Sequence, residues 1–234
     1  MSEHLTRREL KTDQFATTVG TTVEYISLHR RQATQITVAV IVAALAALGV
    51  YFWMEHNRNV RAEKLASALQ ITEATVGPLN QSTGLSFPDQ KAKDAAVTKA
   101  MTDLATSFSG TREGAIGEYT LASMAVENNR NDEARKRFQV VIDNGSKEYA
   151  SMARLALAQL DFAENRDSDG EKILRDLIAN PTATVSKEQA TITLARLIGR
   201  KRPAEARALL QPLLTAKGNV PQMAQVAMTE LPAK

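Results

Sequence analysis

The sequence predicts an all-α chain: a single N-terminal transmembrane helix followed by a solenoid of helical hairpins. Two observations carry that expectation. Ile36 to Met54, ITVAVIVAALAALGVYFWM, runs 19 residues without a charge. From Leu121 onward the chain repeats itself with a period near 36 residues.

Residues 1–32 form a polar tail. Behind Thr12 and Asp13, a capping pair, Phe15, Val19, Val23 and Ile26 recur at helical spacing and predict a short amphipathic helix. At about 1.5 Å per residue the uncharged stretch covers about 28 Å, close to the roughly 30 Å of a bilayer's hydrocarbon core. A helix is the one single-pass structure that satisfies every backbone group in lipid. Residues 33–54 therefore read as a transmembrane helix, with Tyr51, Phe52 and Trp53 as an interfacial anchor at its far end. Ala39, Ala43 and Ala47 form a ladder of small residues that permits close packing with another helix. A buried core helix is the competing reading, but such helices seldom run this long without a polar face. A cleaved signal peptide fits less well, because its apolar run is usually only about 7–15 residues behind a short n-region.

Charge sets the expected orientation. The tail ends in the pair Arg30-Arg31, and the first positions after the span hold Arg58, Arg61 and Lys64. The boundary pair places the N-terminus in the cytoplasm and the rest of the chain outside it. Residues 1–54 carry five basic side chains against four acidic ones, so most of the chain's net +3 is spread thinly over the remainder. That distribution argues against nucleic acid as a partner. The absence of cysteine excludes disulfides and thiolate metal sites.

Residues 55–90 read as a juxtamembrane helix, running to about Ala74, and then a loop that opens with Gly77-Pro78. Residues 91–234 read as the repeat domain, starting with a helix from Lys91 to Ser107. Leu121-Ala122 through Ile142 aligns without a gap on Leu157-Ala158 through Ile178. Ala134, Gly170 and Ala206 then occupy one position, and Phe138, Leu174 and Leu210 another, one helical turn later. Val97, Met101 and Leu104 echo the same helix upstream. In the third copy the first helix lies one residue closer to the second, so the turn is shorter. Each unit is thus two helices joined by a tight polar turn. Small residues let the two helices approach, and large ones anchor them. One such pair cannot cover its apolar face alone, so the pairs stack. Val220 to Leu231 reads as the capping helix of that stack.

This small–large pattern and period resemble the tetratricopeptide repeat over roughly Lys91 to Leu214. Together with the short tail and single span, the chain looks like the YfgM-type ancillary subunits of the SecYEG translocon, although its tail is longer and threonine-rich. That resemblance implies a repeat domain on the periplasmic side of a bacterial inner membrane. The implied partners are the membrane itself, translocon subunits and a membrane-anchored chaperone. By the repeat's usual layout, Tyr119, Ser123, Gln159, Phe162, Ile192 and Arg196 on the first helices would face a partner groove. Tyr119, Phe162 and Ile192 read equally well as core.

Catalytic chemistry is not indicated. The three histidines, His4, His29 and His56, all precede the repeats. Asp161, Glu164, Asp167 and Asp169 crowd together, but around a polar turn, where capping and solvation are the simpler reading than a calcium site. The expectation is a non-enzymatic, membrane-tethered protein-interaction scaffold without cofactor or metal. The alternatives are a coordinator of the cell envelope or of division, and a hydrolase whose carboxylates are unrecognised.

Overall fold

The computed structural model describes residues 30–77 and 84–232. The expected amphipathic tail helix lies outside these residues. The chain divides into two compact units, with the boundary between Asn59 and Val60.

The first unit holds most of the long helix α1, Arg30–Glu73. Every residue from Ile36 to Met54 is exposed around the whole circumference of the helix, including Leu45, Phe52 and Trp53. Among the described residues this is the one helix long and apolar enough to cross a membrane.

The second unit begins with the last turns of α1. Leu65, Ala68 and Ile71 pack against Val97, Met101 and Leu104 of α2, Gln90–Ser107. The juxtamembrane segment therefore serves as the first helix of an additional hairpin, with the Val97–Met101–Leu104 echo as its partner. Between the two lies a pair of two-residue parallel strands, β1 (Thr75–Val76) and β2 (Ser86–Phe87), in the register Thr75↔Ser86. Strands this short leave no alternating pattern, so the sequence read them as loop. Asp89 caps α2 by accepting the Ala92 N–H at 2.7 Å.

Three hairpins follow: α3 (Arg112–Glu127) with α4 (Asn131–Asn144), α5 (Lys147–Ala163) with α6 (Asp167–Ala179), and α7 (Lys187–Ile198) with α8 (Pro203–Leu210). Gly117 lets α3 lie close on α2, since a Cβ there would stand 2.6 Å from the Met101 carbonyl oxygen. The first two turns have one design. Asn129 and Asn165 take left-handed φ values of 57° and 60°. The next N–H in each, from Arg130 and Arg166, reaches back to the carbonyls of Ala125 and Asp161 at 2.8 and 2.7 Å. This is a Schellman closure with asparagine in the glycine position. The shorter third turn has no such residue. There the Arg202 N–H bonds the Ile198 carbonyl at 2.8 Å, and Pro203 opens α8 with its fixed φ.

Packing follows the repeat. Ala134 and Ala206 are completely buried, and Phe138, Leu174 and Leu210 are the buried anchors beside them. Gly170 is required where it stands: a Cβ would lie 2.8 Å from the Ala158 carbonyl oxygen and 2.6 Å from the Phe162 ring. After α8 a 3₁₀ turn, Gln211–Thr215, leads to α9, Val220–Thr229. Ala224, Ala227 and Leu231 join the core of the last hairpin. The Arg196–Glu230 ion pair at 3.0 Å and an Arg207 guanidinium that donates to the Pro232 carbonyl tie this cap down.

Candidate protein-interaction surface

Successive first helices touch one another, α3 against α5 and α5 against α7, and the expected groove residues lie on them. Tyr119 is half-buried, its ring 5.5 Å from that of Phe138 in an edge-to-face contact. Burial pushes its hydroxyl pKa up. The Ser123 hydroxyl donates to the Tyr119 carbonyl at 3.1 Å. Gln159 is exposed. Phe162 is half-buried, and its ring covers Gly170 of its own hairpin.

In the third hairpin the cap covers Ile192 but leaves Arg196 at the surface. Ile192 is 3% exposed and sits in one core cluster with Ala224 and Ala227 of the cap, while Arg196 is held by Glu230. The physical reason is the cap itself. Helix α9 covers the surface of α7 that a further hairpin would otherwise extend. The open part of the first-helix surface is therefore the α3–α5 portion around Tyr119, Ser123 and Gln159.

Two larger depressions lie elsewhere, between successive second helices. One, of about 520 Å³, has Ile142, Leu157 and Ile173 on its floor and Arg135, Arg154 and Lys172 on its walls. The next, of about 850 Å³, repeats the arrangement with Ile178, Leu209 and Leu213 beside Arg175 and Lys187. Sequence reasoning passed over both. Ile142 and Ile178 were read only as matching positions of the repeat, and each is partly buried.

The first depression contains an unusual charge. Asp161 is 1% exposed. Its Oδ1 lies 2.8 Å from Arg135 Nη1 and 3.3 Å from Arg166 Nε. The approach is off the hydrogen-bonding direction, so the attraction is mainly coulombic. Arg135 also donates to Glu164 at 2.6 Å, which holds the Glu164 carboxyl below the usual carboxylate range. The acidic run of the second turn is thus partly a neutralised joint between hairpins. Among the described residues, no group of three or more His, Cys, Asp or Glu side chains is placed to hold a metal ion.

A family model for the tetratricopeptide repeat-like domain matches residues 28–169, which takes in α1 and the hairpins up to the start of α6. No curated protein and no solved structure matches the chain. With more than half of its length covered by that model, and stacked helical hairpins in the matched region, the chain belongs to the tetratricopeptide repeat-like domain family.

Proposed function

We propose that this protein is a membrane-tethered scaffold that holds another protein on the first-helix surface of its repeats. The observation that carries the reading is the circumferential exposure of Ile36–Met54 in a chain that otherwise builds repeats of an interaction family. Water does not tolerate an uncharged apolar helix of this length left uncovered, and lipid does. Tyr119, Ser123 and Gln159 supply a mixed aromatic and polar surface, and the tether raises the effective concentration of any partner fixed in the same membrane. Weak individual contacts then suffice.

The finer reading follows the resemblance to YfgM-type subunits. The N-terminus is cytoplasmic, the repeats are periplasmic at a bacterial inner membrane, and the partners are translocon subunits and a membrane-anchored chaperone. Two measurements test it. A reporter active only outside the cytoplasm should work when fused after Lys234 and fail within residues 1–20. Mild-detergent purification of the full chain, followed by mass spectrometry, should recover a membrane partner. Fractionation of the full chain with soluble proteins would refute the tether, and a reversed reporter pattern would refute the periplasmic assignment.

A further inference from the structure

A groove of about 330 Å³ opens between the end of α1 and α2, wholly within the second compact unit. Lys64, Ser67 and Ile71 line its α1 wall, and Ala100 and Asp103 its α2 wall. Position for position it matches the depression beside α5 and α6. Lys64, Ser67 and Ile71 correspond to Arg154, Leu157 and Asp161 of α5, and Ala100 and Asp103 to Ile173 and Asp176 of α6. There α4 forms the third side and lays Arg135, Gln139 and Ile142 along the hairpin. Among the described residues no preceding second helix stands against α1 and α2. The two walls keep their signs, with Lys64 for Arg154 and Asp103 for Asp176. What changes is the point where Arg135 enters. In the matching site Asp161 and Glu164 meet its guanidinium at 2.8 and 2.6 Å. The same offset puts Ile71 and Ala74 in their places. The register holds to the last turn, because α5 and α1 end at corresponding residues, Ala163 and Glu73.

We propose that this groove is a second docking surface, and that it takes an amphipathic helix of a different protein, apolar where α4 carries Arg135. A cation at that point would leave water with no carboxylate to meet it. An apolar side chain there gains contact with Ile71 instead. Another copy of this chain has no second helix free to enter. The matching face of α2 already packs on α3, where the backbone at Met101 and Ala105 lies against Gly117. That of α4 faces α5 and α6, and that of α6 faces α7 and α8. Helix α8 lies under the cap, with Arg207 donating to the Pro232 carbonyl. The cap α9 exposes Met223 and Val226, but the next residue on that face is Glu230, which pairs with Arg196.

Helix α4 itself supplies a probe of that chemistry. A stapled helical peptide of residues 131–144 carrying Arg135→Leu is titrated into the full chain in detergent, with a photo-crosslinking residue at the exposed Asp103. It should be captured at about tenfold lower concentration than the unaltered peptide, whose guanidinium finds no carboxylate in the groove. Ile71→Asp supplies that carboxylate and should reverse the preference. Ser67→Trp fills the groove from an exposed position and should abolish both adducts without changing the melting temperature. In native membranes the same crosslinker should capture a different protein, which the Arg135→Leu peptide displaces. Equal capture of the two peptides would overturn the proposal, as would a preference unmoved by Ile71→Asp in a variant that melts like the parent. So would native membranes that give no adduct, adducts confined to the chain's own tail or to a second copy, or a membrane adduct that survives Ser67→Trp.

Discussion

The two joints between the last three hairpins occupy equivalent places and are built in opposite ways. At the first, Arg135 of α4 reaches Asp161 and Glu164 of the next hairpin. At the second, one period later, Glu171 stands where Arg135 stood and pairs with Arg202 and Arg175, which also hold Glu205. The sign is reversed, and the partners that meet it lie in solvent. The Asp161 side chain is 2% exposed, whereas Glu171 is 17% exposed and its partners Arg175 and Arg202, with Glu205, are all more than a third exposed. A charge in the first joint is therefore costly to strand, and a charge in the second is largely screened. Reversal also makes the joints non-interchangeable, so that neither hairpin seam accepts the other's partner without setting like charges together.

The largest effect is expected from breaking the first joint on one side. Arg135→Met leaves the buried Asp161 carboxylate facing only the more distant Arg166, and should destabilise the repeats by about 3–5 kcal/mol. Denaturant unfolding of the full chain in detergent measures it. A loss below about 1 kcal/mol, the range of exposed pairs, would erase the distinction between the joints.

Removing both charges sharpens the comparison. Arg135→Met together with Asp161→Leu exchanges the pair for apolar groups of similar size, and buried pairs so replaced are often neutral or better. The double variant should recover most of the stability lost by the single one. If it unfolds as readily as Arg135→Met, the pair is contributing specific geometry and not merely mutual neutralisation.

At the second joint, Glu171→Gln should cost only about 0.2–1 kcal/mol, and less in molar salt, where the screening length falls to about 3 Å. The smallest effect is its pH dependence. Hydrogen bonds from Arg202 first, and then Arg175, hold the Glu171 carboxyl below the usual carboxylate range. A depressed carboxylate stabilises the fold above its unfolded value and loses that contribution as pH falls through the folded one. The difference between parent and Glu171→Gln should accordingly be constant near neutrality and shrink in acid. A difference that grows with acidification would reverse the assignment.

What the sequence disclosed follows the range of each interaction. The anchors Phe138, Leu174 and Leu210 and their small neighbours were legible because packing inside a hairpin recurs with the period. The polar turns were legible from their composition, although the left-handed Asn129 and Asn165 were not singled out. The Arg135–Asp161 pair was not legible. Its members are 26 positions apart, and the aspartate sits in a run that looks like a solvated turn. Ile192 could be read as groove or as core because spacing within α7 says nothing about α9 folding back over it. The Val60–Glu73 half of the first hairpin was hidden for a related reason, since it continues the same helix that carries the apolar span.

If the joints hold α3 and α5 as one rigid surface above a membrane tether, Gln159 at its open face is where a partner must be met. The most direct measurement places a photo-crosslinking residue at Gln159 in the full chain and irradiates native membranes. The account predicts adducts with a different membrane-associated protein, lost when Ile36–Met54 is deleted and the repeats are released. Adducts that persist undiminished without the span, or none to any other protein, would contradict it.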